Sequence, residues 1–359
     1  MKTVVLLIFL GLSAIAQQND SLLFQVLSLD NDTERVNQLY SIGFNYRTSD
    51  PQNAYLFAIN SEQEAKKCSN PKFLAKAYNL LGVLYYRKGE IQKALQFQKQ
   101  ALKLNQQANF DFGCALNFTN LGNIHTDLKD YVNAENYYLK AINIYNKQYN
   151  KTQIAKCLMN IGILKHYQHE LDAAYQQFKI ALYYAKSIND FNLMANCYNN
   201  IGIVYRAQHK PDSALFYFEE SMKLKLMSDN DLELVDSYNN IALMHIELNN
   251  LKEVNYYLQA ADSMSKALEY NEGLIEVLDT KSRYFEVLQK SDSALYFLKK
   301  SIALKDSLRA ITTEENYEFD DNIKLQLQPK QQSYSAIIFI SSLLGLLIII
   351  PMYLIRNKR

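Results

Sequence analysis

The sequence predicts an all-α chain: an α-solenoid of about seven helix-turn-helix repeats with a 40-residue period, followed by one C-terminal transmembrane helix. Three observations predict it. A Gly-centred phrase recurs at Gly82, Gly122, Gly162 and Gly202, 40 residues apart, with Ala242 continuing the register. Self-similarity at such a period is the signature of stacked repeats. Only 10 Gly and 5 Pro occur in 359 residues, which suits long helices joined by short turns. Residues 336–355 carry no charge, and at about 1.5 Å of helical rise per residue such a segment reaches across a bilayer core.

Taken in order, residues 1–16 read as a secretory signal peptide: Lys2, an apolar run from Val4 to Leu12, and the small-x-small triplet Ala14-Ile15-Ala16. Residues 17–32 form a short N-terminal segment. The array is expected over 33–310, as a degenerate repeat at 33–70 and better ones at 71–110, 111–150, 151–190, 191–230, 231–270 and 271–310. In each, the first helix carries the Gly phrase. The second carries a small residue twelve positions later, at Ala94, Ala134, Ala174 and Ala214. Four further on stands a large one: Tyr138, Phe178, Phe218, with Gln98 breaking the series. Small residues let helices approach closely, and residues three and four apart share a helix face. The six residues beyond a 34-residue unit are expected to lengthen both helices by about a turn. A polar stalk is expected at 311–335, the span at 336–355, and a basic tail at 356–359. Basic residues mark the cytoplasmic side, so the array is placed outside a bacterial inner membrane, in the periplasm or beyond, on a single-pass anchor.

This pattern resembles the tetratricopeptide repeat, through Tyr198, Ile201, Gly202, Tyr205, Ala214 and Phe218 in one copy and Tyr78, Leu81, Gly82, Tyr85 and Ala94 in another. The resemblance implies a right-handed solenoid whose first helices line a concave groove. The whole layout also resembles the sensor halves of Bacteroidetes-type membrane receptors, histidine kinases or LuxR-like regulators, without their output domain.

The charge balance is +1, from 38 basic and 37 acidic residues, so no field draws nucleic acid, and none is expected as a partner. No catalytic constellation is legible, and neither an enzyme activity nor a cofactor or metal is expected. His166 and His169 share a helix face but read as a solvated helix end. The four cysteines read as free thiols packed as small hydrophobes. What remains is the groove. Asn120, Asn160, Asn200 and Asn240 form a ladder, Asn199 and Asn239 a second rail, and Asn123, Tyr167 and Arg206 lie further along the face. Amides both donate and accept, so these residues suit a peptide backbone. The expected function is capture of a protein or peptide partner, as an envelope scaffold or as the sensory part of a receptor whose output lies elsewhere.

Overall fold

The structure, a computed structural model, describes residues 22–227 and 231–327. It is all-helical. A helical segment α1 covers residues 22–27. Then come α2 (Asp32–Tyr46), α3 (Pro51–Ala65), α4 (Pro71–Arg87), α5 (Ile91–Gln107), α6 (Asp111–Asp127), α7 (Tyr131–Lys147) and α8 (Lys151–Tyr167). They are followed by α9 (Leu171–Ser187), α10 (Phe191–Ala207), α11 (Pro211–Leu226), α12 (Asp231–Glu247), α13 (Leu251–Ala267), α14 (Asn271–Val287) and α15 (Ser291–Leu327).

Even-numbered helices are the first of each pair; α2 to α12 pack on the odd-numbered helix that follows, and α4 to α14 on the one that precedes. Consecutive first helices also touch, α2 with α4, α4 with α6, α6 with α8, α8 with α10 and α12 with α14. Among the described residues, consecutive second helices do not pack on one another in this way. The first helices are therefore the closer-spaced, inner face of the stack, where repeat arrays form their extended binding surfaces.

The helices from α4 to α10 are each 17 residues long, as are α12, α13 and α14. A left-handed residue ends them at a strict 20-residue spacing: Gly89, Asn109, Lys129, Tyr149, His169, Asn189, His209, and again Asn249, Glu269 and Gln289. The amide of the next residue reaches back five positions, as Asp130 N donates to His125 O at 2.9 Å and Glu170 N to Lys165 O at 2.8 Å. This closure satisfies carbonyls that a helix end otherwise leaves open. Asp130, Asn150 and Asp190 then cap the following helix through their side chains. Over 71–209 and 231–289 the 40-residue period is thus two equal 20-residue halves with one turn geometry.

Between paired helices, the glycines are covered by rings. A Cβ on Gly122 would lie 2.5 Å from Tyr138, one on Gly162 2.6 Å from Phe178, and one on Gly202 2.7 Å from Phe218. Ala94, Ala134, Ala174 and Ala214 are fully buried beside them. Burying each such ring stabilises by about 1.5–3 kcal/mol. A second ring pair recurs toward the helix ends: Tyr85 on Phe97, His125 on Tyr137, Tyr205 on Tyr217, His245 on Tyr257 and Phe285 on Phe297, with centroids 5.2–5.4 Å apart. His125 and His245 are thus packed rings. Gln98, where the large residue is missing, is fully buried in a polar network instead. Its Nε2 donates to Asn79 O at 3.0 Å, and its Oε1 accepts from Asn117 Nδ2 at 2.8 Å.

The expected membrane part of the fold is corrected. Among the described residues no helix is long and apolar enough to cross a membrane. The longest, α15, interleaves Lys299, Lys300, Lys305, Asp306 and Arg309 with its apolar residues, so no 20-residue apolar window forms in it. The expected span at 336–355, the signal peptide at 1–16 and the tail at 356–359 lie outside the described residues. The structure supports a helical solenoid, and the single-pass inner-membrane placement is set aside with the span. Of the expected stalk, residues 311–327 belong to α15 and the rest lies outside the described residues.

Candidate groove and cationic cleft

The 40-residue register sets one face of α6, α8, α10 and α12 side by side, and the asparagines fall on it. Asn160 Nδ2 donates to Asn123 Oδ1 across the repeat boundary at 3.1 Å, and the Tyr138 hydroxyl donates to the same oxygen at 2.7 Å. Asn240 Nδ2 donates to Asn199 Oδ1 at 3.2 Å, again between repeats. These side chains tie neighbouring repeats together. Their remaining valences are complementary: the Asn123 and Asn199 NH2 groups keep donors, and the Asn160 and Asn240 carbonyls keep acceptors.

The other expected residues sort differently. Asn120 and Asn200 are half-buried and make no such bridge among the described residues. Asn239 is 6% exposed, and its Oδ1 has no partner, so it faces the packing more than the groove. Tyr167, 54% exposed at the end of α8, sits beside the rings of Tyr131 and His166. Arg206 lines an open cleft of about 630 Å3 together with His166, Ile203, Ala207, His209, Pro211, Glu247 and Arg283.

This cleft joins side chains from α8, α10, α12 and α14 with the turn before α11. Arg283 pairs with Glu247 at 3.3 Å. Burial lowers the His166 pKa, and His169 and Arg206 nearby lower it further, since like charges disfavour a second cation. Of these residues the sequence pattern singled out Arg206; His166 read as part of a solvated helix end, and His209, Glu247 and Arg283 carried no signal of their own. One signal was available: His166 and Arg206 stand one 40-residue step apart, as do His169 and His209.

Beside the cleft, α11, α12 and α14 enclose an ionic group. Burial, then the neighbouring Glu276, push the Asp236 carboxyl up to about 6, against the pull of Lys225. Burial also raises Glu276, while Arg206 and Lys305 oppose this. Lys225, 3% exposed, donates to Glu233 O at 3.1 Å. Among the described residues no group of three or more His, Cys, Asp and Glu side chains is placed to hold a metal ion.

Family models of the tetratricopeptide repeat match residues 75–108, 111–182 and 153–227. The chain is 32% identical over 96 residues to the uncharacterized protein ycf37 of Pyropia yezoensis, across 26% of this chain and 51% of that protein. It is 28% identical over 125 residues to the transcriptional activator NprA of Geobacillus stearothermophilus, across 33% of this chain and 29% of that protein. The chain thus spans about half or less of the length of these curated relatives. Among solved structures, NprR in complex with its cognate peptide NprX aligns with a TM-score of 0.59 at 17% identity, over 92% of this chain and 94% of that one. At that identity the likeness is one of fold.

Proposed function

The chain carries tetratricopeptide repeats, and from that premise we propose that it binds an extended peptide, free or as a segment of a protein, along the face made by its first helices. One observation carries this reading: the open cleft among α8, α10, α12 and α14, continuous in register with the asparagine face. Donors left on Asn123 and Asn199 and acceptors left on Asn160 and Asn240 match the alternating groups of a peptide backbone. Asn120 and Asn200 border the same face, and Tyr167 and Arg206 its edge. The fold it shares with NprR, whose structure holds a cognate peptide, supports the reading. The amides and charges gathered along this face suit binding through hydrogen bonds.

The test is selection of peptides from a random phage-displayed library on the full chain. Peptides so obtained are expected to bind at least about tenfold more weakly to an Asn160→Ala, Asn200→Ala, Asn240→Ala variant with an unchanged helical spectrum. Equal affinity for both proteins overturns the assignment.

A further inference from the structure

The even charge balance of the whole chain hides a local segregation on the outer, second-helix face. Helices α5, α7 and α9 carry seven lysines and no arginine, against two carboxylates, Glu135 and Asp172. Glu135 is held by Lys165 at 3.0 Å, and Asp172, at the start of α9, accepts from Gln208 at 3.2 Å. Helical geometry puts Lys99 and Lys103 opposite the buried side of α5, which carries Ala94, Gln98, Ala101 and Asn105. Leu139, Lys140 and Lys147 on α7 and Lys179 and Ile180 on α9 take the same outer side, and all of them are exposed. Lys99, Leu139 and Lys179 stand one 40-residue step apart, as do Lys140 and Ile180. Each of the two apolar side chains therefore has a lysine beside it on its own helix and another in register on a neighbouring second helix. Among the described residues, Lys99, Lys103, Lys147 and Lys179 enter no ion pair. The patch ends at α11, where Glu219 and Glu220 take the places of Lys179 and Ile180.

We infer that this outer face of α5, α7 and α9 docks an acidic, amphipathic segment of a second protein. Its apolar side chains cover Leu139 and Ile180, and its carboxylates meet Lys99, Lys140 and Lys179. Charge complementarity selects an anionic partner, and the two apolar residues select protein. Phosphate groups would leave Leu139 and Ile180, 52% and 43% exposed, against water. An apolar centre inside a polar rim is the anatomy of a protein interface. Recognition of phosphate favours the planar forks of arginine, and these three helices have none. Glu219 and Glu220 repel an acidic segment and so set where it stops along the stack. This partner is a second one, apart from the peptide of the first-helix face.

The experiment measures binding of probes carrying a neutral fluorophore to the full chain by fluorescence anisotropy. Three are end-capped peptides of about five helical turns. One has leucine on one face and glutamate elsewhere, the second has glutamine in place of glutamate, and the third has serine in place of leucine. The fourth probe is an oligothymidylate. The leucine-glutamate probe is expected to bind at least about tenfold more tightly than each of the others, and to weaken as added salt screens surface charge. Lys99→Gln, Lys140→Gln and Lys179→Gln together are expected to remove its advantage over the glutamine probe. Leu139→Ser with Ile180→Ser is expected to remove its advantage over the serine probe. All five positions are exposed, so both variants are expected to keep the helical spectrum. Equal binding of the three peptides overturns the inference, as does a preference for the leucine-glutamate probe that neither variant changes. Oligothymidylate binding as tightly as that probe also overturns it, by assigning the face to nucleic acid.

Discussion

The ring of Phe218 occupies the space that a side chain on Gly202 would need. A Cβ there would stand 2.7 Å from both Cδ1 and Cε1 of the ring, which is fully buried and has no room to yield. The sequence marks Ala214 as a small residue that lets the two helices approach closely. The buried Ala214 stands beside the contact, and the ring four residues later closes it.

Replacing Gly202 sets two effects against each other. A helix interior gains about 1 kcal/mol when Gly is lost. Overpacking a filled core costs about 1–3 kcal/mol, so it wins for a large side chain. Gly202→Leu is expected to lower the melting temperature. Combined with Phe218→Ala it is expected to cost less than the sum of the two single changes, by more than about 0.5 kcal/mol. Strict additivity in a double-mutant cycle contradicts the contact.

Asn117 is fully buried and links two other buried amides, donating to Gln98 Oε1 at 2.8 Å and accepting from Asn105 Nδ2 at 2.7 Å. Asn117→Leu leaves both without this partner. Gln98 Oε1 still accepts from Asn79 Nδ2 at 3.3 Å, and Asn105 Nδ2 is the group left stranded; a stranded buried group costs about 1–3 kcal/mol, so urea denaturation is expected to show a loss of that size. A neutral substitution means the network does not hold α5 against α6.

The four cysteines are free, and Cys114, Cys157 and Cys197 are buried. Burial pushes the thiols of Cys157 and Cys197 up to about 11 and about 12. The thiolate is the reactive form. In the folded chain at about pH 8, iodoacetamide is expected to modify half-buried Cys68 first and to reach Cys157 and Cys197 only after denaturation. Mass spectrometry of tryptic peptides reads this directly, and early labelling of Cys197 contradicts the packing.

Asp236 gives the fold a pH dependence of definite sign. Its carboxyl titrates near 6 when folded, above the usual carboxylate value. Between those values the folded state holds the proton more firmly, so stability falls as pH rises toward about 6 and is level above it. Asp236→Asn is expected to flatten this slope in urea midpoints taken from about pH 4.5 to 7. Parallel curves for the two proteins contradict the burial of the charge.

The 40-residue register was legible because Gly162, Ala174 and Phe178 return as residue types at Gly202, Ala214 and Phe218. The 20-residue symmetry within it was hidden. The residues that end each helix share a left-handed φ but not a side chain: Asn109, Lys129, Tyr149 and His169 have nothing else in common. The expectation that both helices are lengthened by about a turn did not reach the turns themselves, which repeat one geometry after the 17-residue helices α4 to α10. Gln98 read as a defect because its partners, Asn79 on α4 and Asn117 on α6, lie on other helices. The cleft was hidden for the same reason. His166, Arg206, Glu247 and Arg283 come from four first helices, and no one of them repeats.

The central claim is that the partner lies on the first-helix face. Site-directed photocrosslinking tests it most directly. A benzophenone amino acid is placed in turn at Ile203, which lines the cleft, and at Tyr183, 70% exposed on the second helix α9. Each protein is irradiated with a peptide selected on the full chain. The account predicts a covalent adduct from position 203 and none from 183. An adduct from 183 alone would place the partner on the outer helices and contradict it.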